Sequence, residues 1–534
     1  MSGAHAALAA TLLAACTRRR PDGSGGSNGS ATNGSPGSRT NASGSTRPAP
    51  SGSPSSSTSS GAGLAALSGR LARPLLTSRD AAYGAAARLY NPRFDRSSRP
   101  AAIAQCTSAA DVVQVVRFCA STRTPLALRS GGHSYGGWSS GPGVVLDVGP
   151  LSTVTVDPGA RTARIGAGAR LAQVYSRLGA AGYALAAGSC PSVGITGLTL
   201  GGGVGVLSRA YGLTCDALSA IELVTADGRL RTVDAQHDPD LFWALRGGGG
   251  GSFGAVTALT VRLRPAPTVR TFFYEWDFAV AEQVLAAWQH WFPGTDRALW
   301  TTCKLLADPP SRSLHVTVSG TWIGTDAGLG RQLAPLLSGL PAPSGSASNR
   351  SDYVSAMLAE GGCADDDPTR CVSAALRSPK RQPFAATSAV LSNPLPAAGI
   401  TAAVERVRAG LQVGGMVEGG VSFDALGGAV SDVAAGDTAF VHRQALALVQ
   451  YTATWGAPGA DDQVAAPGPY DSYVRAERAA LGRWTGPAAY VNYADPSIGD
   501  FGRAYWGDNY PRLRQIKARY DPDGLFAFAQ AVQA

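Results

Sequence analysis

The sequence predicts an α+β protein built from two domains. Between residues 64 and 267, short β-branched segments alternate with Gly-rich loops and a few helical patterns. From residue 268 to residue 485, amphipathic helical patterns accompany segments whose apolar residues recur at every second position, as expected for helices on an antiparallel sheet. A closing segment covers 486–534. With 534 residues, 44% of them hydrophobic, the chain is long enough for two such cores.

The individual elements follow from the spacing of the apolar residues. In the first domain, one helix has an apolar face of Val112, Val113, Val115, Val116 and Cys119, and another has Leu171, Val174, Tyr175 and Leu178. Predicted strands cover 126–128, 144–148, 154–156, 162–165, 221–224 and 255–263. In the second domain, Val284, Leu285, Trp288 and Trp291 predict a helix, and Leu314, Val316 and Val318 predict a strand.

The net charge of +9 does not indicate an acidic partner. Residues 1–80 carry +6 of this charge, and the rest of the chain carries only +3. Nucleic-acid binding requires a basic stripe with stacking aromatic residues on a folded face, and the sequence has none, so no nucleic-acid partner is expected. No run approaches the roughly 20 apolar residues of a membrane-spanning helix.

The N-terminus has the pattern of an export signal followed by a tether. A short apolar stretch at 6–15 ends in Leu13-Ala14-Ala15-Cys16, which resembles a bacterial lipoprotein signal, although residues 1–5 lack the usual Lys or Arg. Residues 17–63 are rich in Gly and Ser and predict a disordered tether. We therefore expect an exported protein, with residues 1–16 as its signal. It is either a cell-envelope lipoprotein attached to the membrane by a lipid on Cys16 or, after cleavage of an ordinary signal, a secreted protein.

Export places the cysteines in an oxidising compartment. Cys363 and Cys371 flank a polar loop and predict a local disulfide. The remaining cysteines of the folded part, apart from Cys190, are predicted as buried thiols or further bridges: Cys106, Cys119, Cys215 and Cys303. No Cys-x-x-Cys pair occurs, so no metal site is predicted.

Two motifs point to chemistries that their surroundings do not support. Gly132-His133-Ser134-Tyr135-Gly136 matches the nucleophile elbow of serine hydrolases, but the Gly-rich and Pro-containing residues 137–143 cannot form the helix that must follow. A hydrolase with Ser134 as nucleophile is therefore a weak alternative. Gly249-Gly250-Gly251-Ser252-Phe253-Gly254 matches the dinucleotide fingerprint, but a predicted strand follows it instead of a helix.

Three Gly-rich loops predict a site for a phosphate-containing cofactor. They cover 129–134, 197–205 and 246–254. Glycine lets the backbone approach a ligand closely and adopt positive φ, so that consecutive amides can point at one anion. A single such loop would more often be a tight turn. Three loops in one domain favour a pyrophosphate-binding site.

Four motifs closely resemble those of the berberine bridge enzyme-like flavoproteins, members of the vanillyl-alcohol oxidase superfamily. They are Arg129-Ser130-Gly131-Gly132-His133-Ser134-Tyr135, Gly188-Ser189-Cys190-Pro191-Ser192-Val193-Gly194, Tyr490-Val491-Asn492-Tyr493 and Trp506-Gly507-Asp508-Asn509-Tyr510-Pro511-Arg512-Leu513. The resemblance extends over residues 64–534. It implies a PCMH-type FAD-binding fold over 64–267, a substrate domain of helices on an antiparallel sheet over 268–485, and a closing segment that returns to the FAD domain.

The resemblance also implies a bicovalently bound FAD. His133 would bond to the 8α carbon of the flavin, and Cys190 to carbon 6. Further cofactor contacts are expected at Arg129, Ser130, Gly131, Gly132, Ser134, Val193, Gly197, Gly201, Gly202, Gly205, Gly251, Gly254, Val256 and Asn492.

The family reaction transfers a hydride from a substrate C–H bond to flavin N5 while a base accepts a proton. Tyr490 and Tyr493 are the candidate bases, and either needs its pKa lowered by a cation or by the flavin. If this segment is a strand, Tyr490 and Asn492 share a face and Tyr493 lies on the other, which favours Tyr490 as the base. Gln450 matches a substrate-pocket position, and Asp424 offers a carboxylate or has a structural role.

Departures from the family pattern bear on the substrate. Val204 and Leu448 replace the Tyr and Lys of the plant relatives that oxidise monolignols, so that mechanism is not expected. Val193 resembles the type that admits O2 to the flavin. We expect a monomeric oxidase that acts on a sugar, an oligosaccharide or a bulky secondary metabolite and produces H2O2. A dehydrogenase with another electron acceptor and a non-catalytic ligand-binding lipoprotein stay open as alternatives.

Overall fold

The computed structural model describes residues 57–363, 367–377, 381–456 and 468–534. The predicted signal, Cys16 and the predicted tether up to residue 56 lie outside the described residues. The first described helix starts at Ser57, inside the segment predicted as tether. Within the described ranges, no helix has the length and apolar character needed to cross a membrane.

The first domain contains seven α-helices and ten strands among the described residues. They are α1 (Ser57–Ser68), α2 (Tyr83–Ala87), β1 (Ala102–Gln105), α3 (Ala109–Thr122), β2 (Leu126–Arg129), β3 (Val144–Asp147), β4 (Val154–Asp157), β5 (Thr162–Gly166), α4 (Leu171–Ala180), β6 (Tyr183–Ala184), α5 (Ile195–Leu200), α6 (Ser208–Tyr211), β7 (Leu218–Val224), β8 (Leu230–Asp234), α7 (Pro239–Ala244), β9 (Ala255–Arg262) and β10 (Arg264–Pro265).

Two sheets form the framework of this domain. Strands β1, β3 and β2 pair in parallel in that order, and strands β4, β5, β9, β7 and β8 form an antiparallel sheet. Helix α3 begins with a capping box, in which Ser108 and Asp111 satisfy each other's backbone amides. Its predicted apolar face packs into the core between the sheets, with Val112, Val115 and Val116 fully buried. The helix and strands predicted from periodicity are confirmed here.

The second domain contains six α-helices and seven strands among the described residues. They are β11 (Val269–Trp276), α8 (Ala281–Trp291), β12 (Leu299–Asp308), β13 (Ser313–Trp322), α9 (Asp326–Ser338), β14 (Gly345–Ser351), α10 (Tyr353–Glu360), α11 (Pro368–Arg377), β15 (Phe384–Leu391), α12 (Ala397–Gly410), β16 (Met416–Ala425), β17 (Ala447–Trp455) and α13 (Gly468–Thr485).

These strands form a seven-stranded antiparallel sheet with two different faces. The strand order is β14-β11-β13-β12-β16-β17-β15. One face is apolar, with Cys303, Leu305 and Val421 buried in the core beneath helices α8, α12 and α13. The α+β prediction with helices on an antiparallel sheet is confirmed.

The opposite face of the sheet is polar. Register places Lys304 of β12 opposite Ser422 of β16, which in turn lies opposite Gln450 of β17. Gln450 then pairs with Ser388 of β15. Because side chains alternate along a strand, these four residues form one row on the face directed away from the helices.

The closing segment contains a 3-10 turn at Val491–Tyr493 and the helices α14 (Phe501–Trp506) and α15 (Tyr510–Tyr520). Its apolar residues, among them Trp506, Leu513 and Phe526, belong to the core cluster of the first domain. The last part of the chain therefore packs against the domain that contains the Gly-rich loops.

The predicted disulfide between Cys363 and Cys371 is confirmed, with Cα atoms 6.0 Å apart. The four other cysteines predicted as thiols or bridges are buried free thiols. Burial raises the pKa of the Cys119 thiol to about 12. These thiols are therefore protonated and unreactive at physiological pH.

Candidate active site

The Gly-rich loops surround a cavity of about 310 Å³, a volume in the range of small-molecule and cofactor sites. The loop that contains Cys190, strands β15 and β17 and the closing segment complete its lining. The predicted site residues in this lining are Arg129, Ser130, Gly131, Gly132, His133, Ser134, Cys190, Val193, Gly197, Gly251, Gly254, Val256, Gln450, Tyr490, Asn492 and Tyr493. The fold thus brings most of the predicted site together from both ends of the folded chain.

His133 is held as a neutral imidazole in the wall of the cavity. Its Nε2 lies 3.0 Å from Ser192 Oγ, and its ring stacks on Tyr90 with the centroids 3.7 Å apart. Burial lowers the pKa of His133 to about 3, and the positive charge of Arg170 acts in the same direction. One ring nitrogen therefore keeps the lone pair that a nucleophile needs.

Backbone pairing fixes the loop that contains Cys190. The amide of Leu171 donates to the carbonyl of Val193, and the amide of Ala172 donates to that of Pro191, both at 2.9 Å. These bonds hold the loop along the start of α4. The loop places Cys190 in the lining of the cavity.

The His133 and Cys190 loops touch each other through two glycines. A β-carbon at Gly131 would lie 2.2 Å from the Gly194 nitrogen, and one at Gly194 would lie 2.3 Å from the Gly131 nitrogen. Real β-carbons do not approach backbone so closely, so both positions require glycine. This contact holds the loops of the two predicted flavin-linking residues against each other in the wall of the cavity.

Arg129 gives the cavity a cationic side chain with one unsatisfied donor. Its Nε donates to Ser139 O, and its side chain also bonds to Ala86 O, but its Nη2 is buried without a hydrogen-bond partner among the described residues. A buried unpaired donor is costly unless a ligand satisfies it. The neighbouring Ser130 Oγ donates to Ala167 O, so the loop itself is held firmly. A guanidinium next to Gly-rich backbone fits the pyrophosphate of FAD.

The third Gly-rich loop is tied to the closing segment. Gly251 has φ of +90°, which favours glycine at that position. The next carbonyl, that of Ser252, accepts a hydrogen bond from Lys517 Nζ at 2.7 Å. Lys517 also donates to Phe526 O and to the fully buried carboxylate of Asp521. Strand β9 follows this loop, so the dinucleotide-type helix is absent there, as predicted.

The expectation that Tyr490 to Tyr493 form a strand is wrong. Val491–Tyr493 is a 3-10 turn. Successive side chains in such a turn point about 120° apart instead of to opposite faces. Asn492 Nδ2 donates to Tyr490 Oη at 2.9 Å, and the Tyr490 and Tyr493 rings meet edge to face at 5.0 Å. Tyr493 therefore lines the same cavity instead of lying on an opposite face.

The pKa of each tyrosine is raised, not lowered. Burial raises the pKa of Tyr490 to about 12 and that of Tyr493 well above its ordinary value of 10. Two donors, the Gly203 amide and Asn492 Nδ2, point at Tyr490 Oη and oppose this rise. Near Tyr493, the negative charge of Asp424 adds to it. The two hydrogen bonds therefore favour Tyr490 over Tyr493 as the residue that carries a negative charge on its oxygen.

Tyr135 is a central residue that the sequence analysis quoted in a motif but did not assign to the site. Gln450 Nε2 donates to Tyr135 Oη at 2.7 Å. The Tyr135 ring stacks on Tyr493 at 5.5 Å and meets Phe384 edge to face at 5.0 Å. Tyr90, which covers His133, was also missed, because no local pattern marks a residue so far from it in sequence.

Four predicted site residues lie outside the lining: Gly201, Gly202, Gly205 and Asp424. The glycines serve close packing instead. A β-carbon at Gly201 would lie 2.1 Å from Asn492 Oδ1, and one at Gly205 would lie 1.8 Å from Ala187 O. Asp424 lies on the polar face of β16, where burial raises the pKa of its carboxyl.

The hydrolase alternative finds no support in this geometry. Residues 130–143 form no helix, so the strand, turn and helix of a nucleophile elbow are missing. Ser134 Oγ accepts a hydrogen bond from the Trp138 amide, and His133 contacts Ser192 instead of Ser134. Ser134 is a loop-stabilising residue at the edge of the cofactor site.

Comparison with known proteins gives a consistent result. A family model described as "FAD binding domain" matches residues 100–234, and one described as "Berberine and berberine like" matches residues 489–533. The chain is 32% identical over 438 residues to the uncharacterized FAD-linked oxidoreductase YgaK of Bacillus subtilis (strain 168), covering 81% of this chain and 91% of that protein. It is 30% identical over 493 residues to Berberine bridge enzyme-like 2 of Arabidopsis thaliana, covering 86% and 90%.

Solved structures agree with this assignment. Chitooligosaccharide oxidase superposes with a TM-score of 0.78 at 27% identity, covering 88% of this chain and 99% of that one. The carbohydrate oxidase from Microdochium nivale, solved in complex with a substrate analogue, gives a TM-score of 0.77 at 25% identity, covering 89% and 99%. The chain therefore belongs to the berberine bridge enzyme-like family of FAD-linked oxidoreductases and has their PCMH-type FAD-binding fold.

Proposed function

We propose that this protein is an oxidase whose FAD is attached to both His133 and Cys190. The observation that carries the proposal is the contact between Gly131 and Gly194, which packs the His133 loop and the Cys190 loop against each other in the lining of one cavity. The neutral imidazole of His133 supports it further, because a protonated ring could not bond to carbon. When bound, the flavin supplies an electron-poor ring nitrogen, N5, that accepts a hydride from substrate carbon.

The protein's own groups then bind the substrate and remove its proton. We propose that Gln450 and Tyr135 hold a substrate hydroxyl, since their side chains are bonded to each other at the wall of the cavity. Tyr490 Oη accepts the hydroxyl proton as the C–H bond breaks, with Gly203 and Asn492 stabilising the negative charge that Tyr490 carries as base.

We further propose that the substrate is a hydroxyl-bearing carbohydrate, oligosaccharide or bulky secondary metabolite and that O2 reoxidises the flavin to yield H2O2. The similarity to two oxidases named for chitooligosaccharide and carbohydrate supports the carbohydrate class. Val193 lines the cavity. It resembles the residue type that admits O2 to the flavin at this position in relatives.

Two measurements test these proposals. The purified protein is precipitated with acid, and a tryptic digest of the precipitate is searched for flavin on the peptides of His133 and Cys190. Flavin on both peptides supports the attachment, and release of all FAD into the acid supernatant contradicts it. A panel of mono- and oligosaccharides is then screened with flavin bleaching under nitrogen and H2O2 release in air read in parallel. Bleaching without H2O2 would identify a dehydrogenase.

We also propose that the protein is exported. The apolar stretch that ends at Cys16 supports this, and so does the disulfide between Cys363 and Cys371, because such bonds persist in oxidising compartments. The N-terminal peptide of protein from its native host tests it by mass. A diacylated Cys16 identifies a lipoprotein, an unmodified cleaved terminus identifies a secreted protein, and an intact Met1 contradicts export.

A further inference from the structure

A pair of helices from the substrate domain packs on the FAD domain beside the Cys190 loop. It consists of α10 and α11, described over 353–363 and 367–377, and we call it the α10–α11 arm. It leaves the sheet after β14, and the chain rejoins the sheet at β15. Both helices pack on α4 of the FAD domain, and the Cys363–Cys371 disulfide joins them.

Helix α10 contacts the chain on both sides of Cys190. Tyr353 Oη donates to the carbonyl of Leu185 at 2.9 Å and accepts from its amide at 3.2 Å. At the other end of the helix, Gly361 packs so closely on the loop that a β-carbon there would lie 2.7 Å from Pro191 Cδ and 2.8 Å from Ser189 O. The arm therefore covers the residues immediately before and after the predicted attachment point.

Arg170 anchors helix α11 to the same loop. It precedes α4, and its Nη1 donates to the carbonyls of Ala375 and Leu376 at 2.9 and 3.2 Å. These carbonyls belong to the last turn of α11, where a cation also interacts favourably with the helix dipole. The backbone of Arg170 forms an antiparallel bridge with Gly194. One residue thus connects the arm, helix α4 and the end of the Cys190 loop.

The disulfide lies inside this contact. Cys371 is buried with Ala172, Leu358 and Ala375 in a small apolar cluster, against which Cys363 packs. The amide of Ala172 is the one that holds the carbonyl of Pro191. Loss of the disulfide would free both helices of the arm and remove the support beneath that hydrogen bond.

We propose that the α10–α11 arm positions the Cys190 loop for flavin attachment. Arg170 is the positioning residue, and the Cys363–Cys371 disulfide holds the two helices of the arm together. The inference rests on the proposed attachment of FAD to Cys190. It assigns to the substrate domain a role in completing the cofactor site of the other domain. The His133 loop has no contact of this kind with the arm among the described residues, so we expect the larger effect at Cys190. His133 is reached only indirectly, through Ser192 of the Cys190 loop and through the charge of Arg170.

Amide hydrogen exchange and peptide mapping test the inference on the purified full-length protein. The variants are Arg170→Met and the double change Cys363→Ser with Cys371→Ser. The control is Arg177→Met, which removes an exposed arginine from helix α4. We expect exchange over 188–194 to rise by about tenfold in both test variants and not in the control. The fraction of flavin on the Cys190 peptide should fall several-fold relative to that on the His133 peptide.

The two readouts separate the inference from the function on which it rests. Exchange over 188–194 that matches the Arg177→Met control in both test variants overturns the inference. Equal loss of flavin from both peptides would also overturn it, because it would indicate general destabilisation. If the wild type carries no flavin on Cys190, the proposed attachment fails, and the exchange data alone decide whether the arm holds the loop.

Discussion

Glu477 provides a test of the energetics on the apolar side of the sheet. It lies on α13, is 2% exposed, and its carboxyl lies beside the Tyr473 hydroxyl. Burial raises the pKa of Glu477 to about 8 from an ordinary value of 4.5, and the hydrogen bond with Tyr473 and the charge of Arg406 oppose the rise only in part. The carboxyl is therefore protonated in the folded protein at neutral pH.

The size of the effect follows from linkage. Between pH 4.5 and pH 8 the unfolded chain has lost a proton that the folded chain keeps, so each unit of pH lowers the free energy of unfolding by about 1.4 kcal/mol. Raising the pH from about 6 to about 9 therefore costs about 3 kcal/mol at this residue. For a folded chain of this length, that corresponds to about 3 °C in Tm if it unfolds as one unit.

Thermal unfolding of Glu477→Gln measures this contribution. Tm of the wild type should fall between the two pH values by about 3 °C more than Tm of the variant, which has no proton to lose. Glu360, whose pKa burial raises to about 7, contributes equally to both proteins. The exposed Glu405 on α12 supplies the control, Glu405→Gln, which should follow the wild type. An unchanged pH dependence in Glu477→Gln would refute the reasoning.

Three further predictions concern the cofactor site. In Gly131→Ala the added β-carbon would separate the two attachment loops, so bound FAD per chain, read from absorbance after desalting, should drop sharply, while Gly84→Ala, with open space around it, should keep its flavin. Lys517→Met leaves Asp521 buried without its cation, so the free energy of unfolding measured in urea should fall by about 3–5 kcal/mol. An unchanged urea midpoint would contradict a stabilising role of the Lys517–Asp521 pair. Tyr490→Phe should slow flavin reduction by about 10²–10⁴ in stopped-flow measurements with an identified substrate, and a loss below about tenfold would remove Tyr490 as the base.

Local patterns in the sequence were sufficient for the features that depend on nearby residues. Spacing of apolar residues predicted α3, α4 and the strands β4, β5, β7 and β9, because burial of one face imposes that periodicity. Clusters of glycine marked the loops that line the cavity, since close approach of backbone to backbone or to ligand demands them. The Cys363–Cys371 bridge followed from a short spacing across a polar loop.

Features that depend on distant residues could not be predicted in this way. The stacking of Tyr90 on His133 and the bond between Gln450 and Tyr135 join parts of the chain that only the tertiary fold brings together. Val491–Tyr493 is a 3-10 turn, although Val and Tyr favour strands. The hydrogen bond from Asn492 Nδ2 to the carbonyl of Leu198 overrides that local preference.

The two faces of the seven-stranded sheet connect the sequence pattern to the chemistry. On β17, Val449 and Tyr451 face the helices, and Gln450 between them faces the cavity. A slip of one residue in the pairing of β17 would bury Gln450 among the helices and bring apolar side chains into the site. The apolar packing that stabilises the substrate domain therefore also fixes which side chain meets Tyr135. In this fold, the register of the sheet is itself a determinant of the active site.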